Sequence, residues 1–147
     1  MHYICYYKNI ILQSSFEQLT NAFQTSWTGD SSLTPEEWDL YNPARGQYIS
    51  SALVVQDFLG GDLIRYKVID GSQEESHYCN RINDGTIIDT TVSQYPIPVV
   101  FTDFPININN FSSIREKLMD ETSIRKRYEI LRARVAKALD SLDVFCQ

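Results

Sequence analysis

His77 and Asp89 lie twelve positions apart, with the turn-forming run Asn83-Asp84-Gly85 between them. An imidazole can take up and return a proton near neutral pH, and a carboxylate on its second nitrogen fixes the tautomer and steadies the cation. Residues 76–82 and 86–90 read as two strands, and a hairpin through Asn83-Asp84-Gly85 would set them side by side. Each residue also has a plainer role. His77 could be an ordinary core or surface histidine, and Asp89 could cap a turn at Thr90-Thr91. Cys79 shares a strand face with His77, which makes a thiol–imidazole pair thinkable. Alternate residues on one face are ~7 Å apart, however, too far for a direct hydrogen bond. A small core side chain is the competing reading of Cys79.

The second candidate group lies where a loop feeds into a helix, at Gly46-Gln47-Tyr48. From Gln47 the chain runs Ile49, Ala52, Leu53, Val54, Val55, Phe58 and Leu59, apolar nearly all round, and Gly60-Gly61 supplies a stop. A helix of that composition is buried on most sides, as the central helix of a small α+β domain is. Ser50 and Ser51 fall in its first turn, as hydroxyl nucleophiles or as residues common there for capping and packing. Gln47 is either a donor to a developing oxyanion or a loop residue bonding local backbone. Arg45 is either a contact for an acidic ligand or an exposed loop arginine.

Together these residues resemble the pattern of the YunG-like bacterial proteins, a small branch that looks like the papain-like cysteine hydrolases. In that pattern the loop ends in Gly-Gln-Cys, and the cysteine is the nucleophile. The helix N-terminus stabilises its thiolate, a histidine on a facing strand forms the ion pair, and an acid on the next strand orients the imidazole. The resemblance covers residues 27–95 best and implies a papain-like α+β fold with His77, Asp89 and Gln47 in those roles. Two departures stand out. Tyr48 occupies the nucleophile position, and Cys79 stands where the pattern more often has tryptophan. A phenol has an unperturbed pKa near 10 and is almost fully protonated at neutral pH. The expected function is therefore a degenerate, non-catalytic binding or regulatory module. The alternative is an active amidase, peptidase or acyl-transfer hydrolase that uses His77 and Asp89 with Cys79, Ser51 or Tyr48 as a relocated nucleophile.

The remaining elements must hold this group. Phe16, Leu19, Phe23 and Trp27 follow the box Ser14-x-x-Glu17 at helical spacing, and Thr34-Pro35-Glu36-Glu37 opens a single turn. Trp27 and Trp38 read as anchors for these helices. Residues 3–12 and 62–69 read as strands, and Asp70-Gly71 as a turn. Residues 95–110 contain Pro96, Pro98 and Pro105, which argues for an extended loop around the sheet. Ser113-x-x-Glu116 starts a short helix. Asp120 or Thr122 caps a last one with Ile124, Tyr128, Leu131, Val135, Ala138, Leu139 and Leu142 on one face.

A length of 147 residues fits one domain spanning 1–147. The net charge of −6 disfavours nucleic acid, which needs clustered cations. Arg125, Lys126, Arg127, Arg132, Arg134 and Lys137 spread around the polar arc of the last helix, as a solvated face would. Three widely spaced cysteines, Cys5, Cys79 and Cys146, and two histidines suggest neither a disulfide framework nor a metal site. No signal peptide or membrane span is expected, so the expected address is the cytoplasm. The partner expected is a small peptide, an amide or a protein, with no cofactor.

Overall fold

The computed structural model describes residues 15–143. The expected strand at 3–12, the cap Ser14, Cys5, Cys146 and the Leu142 side chain lie outside the described residues. Helix α1, described over 15–26, is followed by single 3-10 turns at Gly29–Ser31 and Pro35–Glu37. Helix α2 is Tyr48–Leu59. Strands β1 (Asp62–Asp70), β2 (Gln73–Arg81) and β3 (Ile87–Ile88) then form a meander. A 3-10 turn at Val92–Gln94 leads to β4 (Val100–Asp103), and helices α3 (Ile114–Asp120) and α4 (Thr122–Asp143) follow. The class is α+β, with one antiparallel sheet in the order β3-β2-β1-β4.

Helix α2 is the keystone, and its all-round apolarity has a direct cause. One side, through Val54 and Val55, packs on Leu19 and Phe23 of α1, Trp27, and Leu131 and Val135 of α4. The other side, through Ala52 and Leu53, packs on Leu63 of β1, Tyr78 of β2, Leu118 of α3 and Ile124 of α4. A helix pressed between layers has no solvent face over most of its length. Gly60 and Gly61, at φ 71° and 80°, end it by turning the backbone through the left-handed region.

Three expectations are corrected. Residues 95–110 are not loop throughout, because β4 pairs with β1 from Tyr66↔Asp103 to Ile69↔Val100. The prolines flank Val100-Phe101-Thr102-Asp103 without entering it, and an edge strand needs partners on one side only. Helix α4 begins at Thr122, so the residue before it is Glu121 rather than Asp120 or Thr122. Two of the basic residues of α4 are paired rather than solvated, while Lys126 and Lys137 are exposed as expected. Arg134 forks onto Asp30 at 2.7 and 2.8 Å, and Arg132 reaches Asp57 at 3.2 Å. Asp57 further accepts from Arg115 at 2.8 Å and from the Tyr128 hydroxyl at 2.5 Å, tying α2, α3 and α4 together. No described helix is long and apolar enough to cross a membrane.

Candidate functional site: a buried histidine–aspartate pair beside Tyr48

The hairpin through Asn83-Asp84-Gly85 forms, with Asn80 opposite Ile88 and Arg81 opposite Ile87. Extended one residue, that register sets Asp89 beside Cys79 and diagonal to His77, within reach of a long cross-strand contact. His77 is fully buried, and its Nε2 lies 2.7 Å from Asp89 Oδ2. The other oxygen, Oδ1, accepts from the backbone N–H and hydroxyl of Thr91 at 3.1 and 3.3 Å. Asp89 thus caps its turn and holds the imidazole at once. A carboxylate can only accept when ionised, so the pair fixes the Nε2–H tautomer and leaves the Nδ1 lone pair facing away.

Two residues that the sequence did not flag meet Nδ1. The Tyr95 hydroxyl lies 3.3 Å from it and the Gln94 side-chain nitrogen 3.4 Å. Gln94 also accepts from the Gly46 N–H at 3.4 Å and from Asn42 Nδ2, through its backbone carbonyl, at 2.9 Å. It therefore links the loop preceding α2 to the imidazole. Burial and the neighbouring Glu75 carboxylate push the Tyr95 phenol upward, so it stays protonated between Glu75 and Nδ1. Phe101 completes this side, with its ring centroid 5.5 Å from that of His77.

Tyr48 is the first residue of α2, and its side chain is buried. Its ring lies 5.5 Å from the imidazole and stacks within 4° of parallel on Tyr78 at 6.4 Å. Burial, then the Glu75 carboxylate and Tyr78, push its phenol up to about 12. At pH 7 only about one such phenol in 100,000 is ionised. Among the described residues no hydrogen bond joins the Tyr48 hydroxyl to His77.

The other candidates are drawn into the framework. Gln47 is fully buried, accepts from the Ser31 hydroxyl at 2.8 Å and donates to the Thr28 carbonyl at 2.9 Å. Its side chain ties the Gly29–Ser31 turn to α2 and gives no side-chain cap, so the first-turn N–H groups of α2 point past it. Ser51 accepts from the Trp27 indole N–H at 2.9 Å, and Ser50 is buried beside it in the first turn. Burial, followed by Asp89, pushes the Cys79 thiol up to about 12, the opposite of an activated thiolate. Arg45 is held by Glu37 at 2.6 Å and Glu75 at 3.3 Å. Asn80 donates to the Ala52 carbonyl at 2.8 Å, pinning β2 to α2. His77, Asp89 and Tyr48 are therefore brought together, while Gln47, Ser51 and Cys79 make no hydrogen bond to His77 among the described residues.

Ser51→Ala should leave the buried Trp27 N–H without its partner and lower stability by about 1–3 kcal/mol. Urea unfolding would read this. A loss below about 0.5 kcal/mol would mean that the Trp27–Ser51 bond does not hold α1 to α2.

The family model described as YunG protein matches residues 15–140 of the chain, the span from α1 into the last turns of α4. The chain belongs to the YunG family. A relative in Bacillus subtilis (strain 168), "Uncharacterized protein YunG", is 29% identical over 126 residues, covering 86% of this chain and 96% of its own length. The match to the family therefore takes in every element that builds the His77–Asp89 pair. No solved structure matches the chain.

Proposed function

We propose that this YunG-family protein is a papain-like domain whose nucleophile position is held by Tyr48, and that it acts as a non-catalytic binding or regulatory module. Its ligand is a small peptide, an amide or a protein segment. One observation carries the reading: a buried, hydrogen-bonded His77–Asp89 pair stands beside a helix N-terminus whose first side chain is a phenol held protonated. Attack on a carbonyl needs an anion or a base in contact with the attacking hydroxyl. Tyr48 has neither, since its pKa is raised and the imidazole lone pair faces Tyr95 and Gln94. Its ring also fills space that a substrate carbonyl would need beside His77.

The intact His77–Asp89 pair also favours a second reading, an amidase, peptidase or acyl-transfer enzyme with a relocated nucleophile. Each candidate meets a physical obstacle: a raised thiol pKa at Cys79, an indole donor on Ser51, and a protonated phenol at Tyr48. Incubation with fluorogenic peptide amides and with nitrophenyl esters separates the two. The expected rate equals that of the His77→Ala variant and of buffer. Robust turnover abolished by His77→Ala would overturn the non-catalytic reading.

A further inference from the structure

Among the described residues, the outer edge of the sheet lies next to the His77 site and carries no further strand. Among the described residues strand β4 has β1 as its one neighbour in the sheet, and all four of its residues are exposed. The Phe104 N–H donates to the Arg65 carbonyl. Counting back by twos from that bond, Thr102 and Val100 turn their backbone groups toward β1. Phe101 and Asp103 therefore present theirs outward, as a donor–acceptor row with no strand beside it among the described residues. Natural sheets guard such edges with lysine, proline or a covering loop. Here Pro98 stands two residues before the strand, and no lysine stands in it.

The surroundings of this edge are apolar. Ile97 and Val100 are 60% and 59% exposed, and Val92 is half exposed. Beside them Tyr95, Pro96, Ile97, Val99 and Phe101 line a cleft of about 350 Å³. That volume is near the lower end for a ligand-binding cleft. Tyr95 and Phe101, which form its inner wall, are the two rings that touch His77 from this side, at 5.6 and 5.5 Å. Two carboxylates stand at the edge, while the cations of Arg65 and Lys67 in β1 are drawn over the Phe104 ring just past its end. Asp103 lies in the strand, and Asp70 lies beside its start, where β1 ends opposite Val99. Neither carboxylate is in an ion pair among the described residues.

We infer that the outer edge of β4 is a docking surface for an extended peptide segment that adds as a fifth strand, with apolar side chains toward the Tyr95–Phe101 cleft and a basic residue at each end. The backbone row supplies the affinity of strand addition, and the cleft takes alternate side chains. The two carboxylates select the basic flanks. This surface is independent of the chemistry at His77. Turnover in the assay above would remove the non-catalytic reading and leave the edge intact.

The probe is a fluorescein-labelled nine-residue peptide of alternating valine and threonine with arginine at both ends, followed by anisotropy on the full chain. Saturable binding is expected. Replacing the terminal arginines by glutamates should weaken it at least about tenfold, and N-methylation of alternate backbone amides should abolish it. Asp103→Lys, at an exposed position, should weaken the arginine-ended peptide about tenfold and strengthen the glutamate-ended one by a similar factor, with an unchanged circular dichroism spectrum. Absence of saturable binding would overturn the inference. So would binding indifferent to N-methylation or to Asp103→Lys. A concentration-dependent dimer that the peptide fails to dissociate would assign the edge to a second copy of the chain and overturn it equally.

Discussion

Gly61→Ala is expected to lower stability by about 3–5 kcal/mol, with a fall in Tm of roughly 10 °C. Gly61 sits at φ +80°, where an L-residue is strained by about 1–3 kcal/mol. A Cβ there would lie 2.2 Å from the Arg81 carbonyl oxygen and 2.7 Å from the Ile82 Cα. Both are backbone atoms, so no rotamer change relieves the clash, and β1 must move off β2 at the Asp62↔Arg81 pair. Gly71 is the matched control. It has φ +62° in the β1–β2 turn and nothing within 4 Å of a built Cβ, so Gly71→Ala should cost about 1–2 kcal/mol from conformation alone. Urea unfolding of the two variants side by side gives the comparison. Equal losses would mean that the approach of Gly61 to Arg81 is not what holds the α2–β1 corner.

The elements that position the site were largely legible in the sequence, because local rules fix them. The apolar run from Ile49 to Leu59 and its paired glycines read as a buried, sharply stopped helix, and α2 is that helix. Asn83-Asp84-Gly85 read as a turn, and the hairpin it closes brings His77 to Asp89. What was not legible depends on chain returning from a distance. Gln94 and Tyr95 reach His77 across 17 and 18 residues, through a single 3-10 turn that carries no motif. The three prolines of 95–110 hid β4, because an extended, half-paired edge tolerates flanking prolines that an inner strand would not. Arg132 and Arg134 of α4 read as solvated, since the sequence does not reveal that Asp57 and Asp30 face that helix. Gln47 shows the same limit: its position before α2 was plain, but its engagement with Thr28 and Ser31 requires the fold.

The central claim is that Tyr48 stands where a papain-like domain has its nucleophile. Its most direct test restores the thiol. Tyr48→Cys would put a sulfur at the first position of α2, on the side chain whose ring now packs against His77, and near first-turn N–H groups that Gln47 does not cap. An imidazolium and a helix N-terminus both favour thiolate over thiol. The introduced cysteine should therefore titrate more than about two units below the ~8.5 of a free cysteine. Iodoacetamide labelling across pH, with sites assigned by mass spectrometry, reads this, and Cys79, whose thiol is pushed up to about 12, serves as the slow internal control. The account predicts that the introduced thiol alkylates first at acidic pH and that His77→Ala in the same chain slows it at least about tenfold. A thiol that titrates like free cysteine and ignores His77 would contradict it.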